Sequence, residues 1–271
     1  MRRLGRTTKP VQEPNGNKQR YNPVLLKVPY LAVVVPAYNE EPRILPSLQR
    51  IRDYFKDQDY SWSVTVVSDG STDRTEELVK EFCATTPCFH LNAYKPNRGK
   101  GYAVRKGMLE AEGELVLFSD ADLAAPIQEI EKLLARMQPG ISVAIGSRPL
   151  KDSTLEVHQP LYREMLGRAS NMLIQLLGVR GIKDTQCGFK LFTRDATKEI
   201  FSRCKFDGFS FDFEALMIAH DLGLNIAEVP IRWAHQEGSK VVLWRDVPKA
   251  LIDLFKLRFM GKRRRLEPSA R

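Results

Sequence analysis

Cysteine, histidine and long apolar runs are scarce in this 271-residue chain, and each scarcity excludes something. Its four cysteines, Cys83, Cys88, Cys187 and Cys204, form no Cys-x-x-Cys pair and have no histidine at metal-binding spacing, which argues against a zinc module or a disulfide framework. A reducing compartment is therefore expected. His158, His220 and His235 are far apart in sequence and unlike a metal-binding set. No stretch approaches the roughly 20 apolar residues of a membrane-spanning helix. Lys27 and Pro29 interrupt 24–35, and Asp253, Lys256 and Arg258 interrupt 251–259. The Arg-rich start lacks an apolar signal core, and Glu13 with several prolines speaks against an organelle transit segment. Internal repeats and low-complexity segments are absent.

Acidic residues are scarce only at the ends. Residues 1–28 carry seven Lys/Arg against one Glu, and residues 256–271 carry seven against one, so 29–255 holds 28 basic and 31 acidic side chains. A nucleic-acid groove needs basic charge on the body, which this chain lacks. Basic ends beside amphipathic helices suit an anionic bilayer surface instead. Residues 1–28 also read as a solvated, disordered tail. Hydrophobic residues make up 43%, enough to bury one full core without a second domain. The expected division is a single domain over 29–260, with a first half to 148, a second half from 149, and a basic tail over 261–271.

From 31 to 147, short β-rich runs alternate with helical patterns, as in a mostly parallel sheet covered on both faces. Strands are expected at 31–35, 64–68, 90–92, 115–119 and 142–146, and helices at 41–55, 75–82, 100–112 and 126–137. The polar turns 36–40, 69–73 and 120–126 each follow a strand, so they gather at the carboxyl edge, where open α/β sheets bind ligands. Later, Leu161, Met165, Leu166, Ala169, Met172, Leu173, Leu176 and Leu177 share one side of a helical wheel. A second helix, 247–259, is apolar nearly all round except for Lys249, Asp253 and Lys256, and leads into Lys262-Arg-Arg-Arg265. Both helices can pack on the sheet; beside basic clusters they also suit interfacial membrane contact.

Asp120-Ala-Asp122, at the end of the apolar run 115–119, carries the most chemistry. Two carboxylates at i, i+2 can hold Mg²⁺ or Mn²⁺ against a diphosphate, where the cation offsets charge on the leaving group. Such pairs in surface loops are usually inert, but here a buried strand leads into the pair. Pro36-Ala-Tyr-Asn-Glu40 and Ser68-Asp-Gly-Ser-Thr-Asp73 place carboxylates at two further strand ends, able to orient a nucleobase or ribose. Turn formation by Asp69-Gly70 and helix capping by Ser71 or Asp73 explain the second motif equally well. Asn97-Arg-Gly-Lys-Gly101 resembles a phosphate-gripping loop without Walker spacing.

In that order, Val33-Val-Val-Pro-Ala-Tyr-Asn-Glu40, Ser68–Asp73, Asn97–Gly101, Asp120–Asp122 and Gly146-Ser-Arg148 resemble family 2 glycosyltransferases of the polyprenyl-phosphate sugar synthase group. Val179-Arg-Gly-Ile-Lys-Asp-Thr-Gln-Cys-Gly-Phe-Lys-Leu-Phe192 and Glu237-Gly-Ser-Lys240 resemble its dolichyl-phosphate glucosyltransferases more than its mannosyl synthases. The likeness spans 29–260. It implies a GT-A fold, a metal-dependent inverting hexosyltransferase, a UDP- or GDP-sugar donor and a polyprenyl phosphate acceptor at the cytosolic membrane face. By position, Pro36, Tyr38, Glu40 and Asp69 would line the nucleotide, with Lys100 and Ala121 beside the donor and Lys240 near the diphosphate. Asp120 and Asp122 would hold the metal, and Arg148 and Arg163 the acceptor phosphate. Two positions depart from the group: Ala124 stands where mannosyl synthases often place a Gln ligand, and Gly167 where Ser commonly assists Arg163.

Asp184 can act as a base, orient an arginine, or bond backbone in a turn before a strand. Asp212, with Glu214, belongs to an acidic group at an expected helix start, where capping explains one of the two. UDP-glucose is the expected donor and GDP-mannose the alternative. A soluble acceptor, and a catalytically idle nucleotide-binding scaffold, are the other readings. The oligomeric state is not legible.

Overall fold

A computed structural model describes residues 28–157, 179, 181–234 and 243–269. The first half alternates strand and helix: β1 (Leu31–Ala37), α1 (Ile44–Phe55), β2 (Trp62–Asp69), α2 (Thr75–Thr85), β3 (Phe89–Tyr94), α3 (Lys100–Glu110) and β4 (Leu115–Ser119). A 3₁₀ turn, Ile127–Glu129, leads into α4 (Ile130–Leu134) and β5 (Ile141–Ser147). The second half holds β6 (Thr154–Val157), β7 (Phe189–Thr193), α5 (Arg194–Phe201), α6 (Phe211–Asp221), β8 (Asn225–Pro230), β9 (Arg232–Ala234), α7 (Leu243–Phe259) and α8 (Lys262–Arg265).

Seven strands make one sheet in the order β3-β2-β1-β4-β7-β5-β8. All neighbours are parallel except around β7, which runs antiparallel to both β4 and β5. The chain leaves β5 at the carboxyl edge and re-enters the sheet from that same edge, so β7 needs no crossover. Strands from both halves of the sequence therefore interleave. A second, two-stranded parallel ribbon pairs β6 with β9.

Each face of the sheet buries its own apolar cluster, the reason central strands such as Leu31-Ala-Val-Val-Val35 are apolar on both sides. One cluster joins Leu48, Ile51 and Phe55 of α1 to Val79 of α2 and Ile130 and Leu133 of α4. The other joins Val104 and Met108 of α3 to Ile200 and Phe201 of α5 and Leu216 of α6. Each fully buried side chain of this size contributes about 1.5–3 kcal/mol.

Several expected elements differ in extent. The helix over 126–137 is a 3₁₀ turn followed by five α-helical residues, because the chain tightens again at once, with Arg136 and Met137 N–H bonding back three residues. The expected strand 90–92 extends to six residues, paired with β2 along its length. The helix expected from 161 onward lies outside the described residues. Helix α7 starts earlier than expected and is two-faced: Leu254 and Leu257 are buried, whereas Ile252, Phe255 and Phe259 are 55%, 45% and 81% exposed.

Candidate active site

The carboxyl edge of the sheet collects the turns after β1, β2, β4 and β5. The first two are laced together. Asn39 N–H bonds Ser71 Oγ at 3.1 Å, Glu40 N–H bonds Thr75 Oγ1 at 2.7 Å, and Glu41 N–H bonds Asp73 Oδ2 at 3.1 Å. Asn39 adopts φ 50°, a left-handed conformation that asparagine tolerates, and its side chain receives Thr72 N–H at 2.8 Å. Asp73 also accepts from Thr75 N–H at 3.0 Å, at the start of α2. Pro36 ends this braced frame inside β1, Tyr38 stands half-buried beyond it, and Glu40 is buried and paired with Arg43.

Asp69 is committed to the protein itself. Its carboxylate accepts from Tyr94 Oη at 2.8 Å, Asn97 Nδ2 at 2.8 Å, Arg98 N–H at 2.7 Å and Gly99 N–H at 2.8 Å. It therefore folds the 97–99 loop. The glycines of that loop have an internal explanation too. A Cβ on Gly99 would meet Asp207 O at 2.4 Å, and one on Gly101 would meet Phe206 O at 2.5 Å. The close backbone approach expected for a phosphate is made instead to segment 206–208. Arg98 lies 3.6 Å from the centre of the Tyr102 ring.

Lys100, the first residue of α3, points at the acidic pair: its Nζ lies 2.7 Å from Asp120 Oδ1. The contact is an ion pair: burial would lower the Lys100 ammonium, yet the charge of Asp120, then of Asp212, raises it. Asp120 is fixed by its own main chain, whose N–H donates to Gly188 O at 3.0 Å. Asp122 accepts from Ala124 N–H at 3.0 Å. Burial, then the like charge of Asp120, raises the Asp122 carboxyl above its ordinary range. Ala121 is buried between them. Among the described residues, no three Asp, Glu, His or Cys side chains gather as a metal cage. Two acidic side chains are nevertheless a fitting donor set for Mg²⁺ or Mn²⁺, hard cations that keep waters and share substrate phosphates.

Beneath this pair lies a buried ion pair that sequence reading missed. Lys190, 1% exposed on β7, contacts the Asp212 carboxylate and donates to Cys187 O at 2.6 Å. Burial raises the Asp212 carboxyl, against Lys190 and then Lys100. Neither Asp212 nor Glu214 caps α6, which has no side-chain cap; Glu214 receives Lys205 N–H at 2.8 Å and Phe206 N–H at 2.9 Å. A lysine inside the apolar run Phe189-Lys-Leu-Phe192 was the available signal for Lys190.

Arg148, just past β5, is gripped by Asp184. Nε meets Oδ2 at 2.7 Å, Nη2 meets Oδ1 at 2.9 Å, and the Arg148 N–H adds a third bond at 3.0 Å. Burial would raise the Asp184 carboxyl, yet Arg148 holds it below the usual range. Glu228, also unforeseen, holds Lys183 N–H and Asp184 N–H at 2.9 Å each. The Arg148 guanidinium sits 5.4 Å from the Trp233 ring, and Trp233 lines one crevice with Asp120, Cys187 and Gly188. Trp233 thus stands between Asp120 and Arg148. Arg163, Lys240, His158 and His235 lie outside the described residues.

The sequence profile of glycosyl transferase family 2 matches residues 32–201. The chain belongs to that family. A dolichyl-phosphate beta-glucosyltransferase of Trichomonas vaginalis is 39% identical over 84% of this chain and 72% of its own length. The human dolichyl-phosphate beta-glucosyltransferase is 36% identical over 88% of this chain and 78% of its own. That of Saccharomyces cerevisiae is 36% identical over 84% and 74%. Such relatives place this family 2 transferase in the dolichyl-phosphate beta-glucosyltransferase group. Among solved structures, glucosyl-3-phosphoglycerate synthase of Mycobacterium tuberculosis, in complex with Mn²⁺, UDP-glucose and phosphoglyceric acid, superposes with TM-score 0.65 at 20% identity, over 85% of this chain and 79% of that one. Mannosyl-3-phosphoglycerate synthase of Rubrobacter xylanophilus gives TM-score 0.64 at 17% identity, over 90% and 77%. The transferase has the GT-A fold.

One titration follows from the packing of segment 205–208. Burial pushes the Glu214 carboxyl up to about 7, despite its two backbone donors. The folded state then binds the proton more tightly than the unfolded one, so stability falls as pH rises from about 4.5 to 7. The expected loss is on the order of 3 kcal/mol. Glu214→Gln should flatten that slope in urea titrations across this range; an unchanged slope would place the titration elsewhere.

Proposed function

We propose that this transferase moves glucose from UDP-glucose to dolichyl or a related polyprenyl phosphate at the cytosolic face of a membrane, giving a β-linked lipid phosphate sugar. The observation that carries this reading is that Asp120 of the acidic pair lines a crevice with Trp233, whose ring lies 5.4 Å from the Asp184-held guanidinium of Arg148. Membership in the dolichyl-phosphate beta-glucosyltransferase group supports it.

A phosphate monoester has a second pKa near 6 and is largely dianionic at neutral pH, so the acceptor needs no general base. Its oxygen attacks the anomeric carbon as the bond to the UDP oxygen breaks, and that oxygen takes the electron pair. One in-line displacement inverts an α-linked donor. Arg148, and Arg163 from outside the described residues, hold the acceptor phosphate with planar donor forks. Asp184 keeps the Arg148 fork oriented; both its oxygens are engaged there, so it serves as a positioning residue and not as a base. Lys100, and Lys240 from outside the described residues, would face the donor phosphates, and the frame of Pro36, Tyr38, Glu40 and Asp69 receives the nucleotide. Asp120 and Asp122 would hold Mg²⁺ or Mn²⁺, which when bound offsets the diphosphate charge. Exposed Ile252, Phe255 and Phe259, beside exposed Lys256, Lys262 and Arg263, suit an anionic bilayer surface.

Mass spectrometry of the lipid product, after incubation with mixed UDP- and GDP-sugars, polyprenyl phosphate and Mg²⁺ or Mn²⁺, tests the reading. A hexosyl lipid phosphate formed with UDP release and β configuration is expected. GDP release would favour the mannosyl alternative, and an α-linked product would exclude single displacement. No lipid product, with transfer to a soluble saccharide instead, would discard the lipid acceptor.

A further inference from the structure

We propose that the Lys100 ammonium is the resident cation at Asp120 in the free enzyme, and that an incoming divalent cation must displace it. The inference rests on the assignment of Asp120 to the metal. Lys100 Nζ lies 2.7 Å from Asp120 Oδ1, so it holds one of the two oxygens a metal would use. Two positive groups on one carboxylate oxygen repel, and only one of the three partners is free to move.

Asp120 is anchored by its N–H to Gly188 O, and its carboxylate fills the space where Gly188 has no side chain. The backbone on either side of Lys100 is equally fixed, because Gly99 and Gly101 press against the carbonyls of Asp207 and Phe206, and Tyr102 N–H bonds Asp207 O at 3.2 Å. What can move is the four-carbon stem of Lys100. It has somewhere to rest: the ammonium already lies 5.6 Å from the Phe118 ring centre, 5.9 Å from Phe209 and 6.0 Å from Phe211, faces that attract a cation.

The consequence is coupling between metal and anion. Displaced from Asp120, Lys100 is freed to face an anion beside the crevice, with Asp212 as its remaining acidic neighbour, so a diphosphate should bind better once the metal is in place, and by linkage the reverse also holds.

Mn²⁺ binding to the full chain, measured by electron paramagnetic resonance without nucleotide, tests this on wild type and Lys100→Met. The variant should bind Mn²⁺ about tenfold more tightly, and UDP should strengthen Mn²⁺ binding less than it does in wild type. Equal or weaker Mn²⁺ binding in the variant overturns the proposal while leaving Asp120 as a ligand. Absence of Mn²⁺ binding in both proteins removes the metal assignment as well. Acylation of Lys100 in the wild type, followed by peptide mass spectrometry, needs no substitution: its reactivity should rise several-fold on adding Mn²⁺ and fall again on adding UDP. Reactivity indifferent to Mn²⁺, in protein that binds the ion, would also overturn it.

Discussion

Gly188→Ala should lower sugar transfer about a hundredfold while leaving the fold intact, since displacing a reacting group by roughly 1 Å costs that much. A methyl group there would sit 2.0 Å from Asp120 Oδ2 and 2.3 Å from its Cγ, so the carboxylate must leave its place. Its backbone is not in the left-handed region, so the effect is steric. Gly140→Ala makes the control, because Gly140 has φ 92° but nothing within 4 Å of an added Cβ. That variant should lose about 1 kcal/mol of stability and no activity. Circular dichroism, thermal melting and initial rates separate the two, and a fully active Gly188→Ala enzyme would show that the Asp120 carboxylate can stand elsewhere.

Asp184→Asn should destabilise the protein by about 2–4 kcal/mol, less than for a fully buried pair because the Arg148 side chain keeps 30% of its surface exposed. An amide cannot accept from both Arg148 Nε and Nη2, so the fork loses its orientation. Acceptor KM should rise more than tenfold, with a smaller change in kcat and no shift in its pH profile. A fall in kcat of about a thousandfold at unchanged KM would instead make Asp184 the base. The wild-type pair also sets an acid limit. The Asp184 carboxyl lies below its unfolded value in the native state, so its contribution is present above the unfolded pKa and disappears as pH falls through the folded one.

Much of the site was legible in the chain. Runs such as Leu115-Val-Leu-Phe-Ser119 declare buried strands, and the polar turns after them fall at one edge of any right-handed parallel sheet. Asp120 and Asp122 were reached that way, and Arg148 through the resemblance of Gly146-Ser-Arg148 to the family motif. Asp69 read both as a ligand to the nucleotide and as a turn former, and the glycines of 97–101 as a phosphate grip; the structure adds what no spacing shows, that Asp69 binds the 97–99 loop and that Gly99 and Gly101 pack against segment 206–208. Glycine tolerates close approach without saying what approaches.

Local patterning by itself determined which segments bury which faces, and hence the α/β class and the edge that carries the chemistry. Tertiary structure decided the neighbours. Because β7 enters from the carboxyl edge between β4 and β5, it opposes Phe189 to Ser119 and Lys190 to Phe118 and Ile145. That return path brings Asp184, Gly188 and Lys190 against residues more than 35 positions earlier in the chain, near Asp120 and Arg148. Periodicity reports how a segment meets solvent and core, but strand order and direction are set by a long-range closure that leaves no local repeat to read.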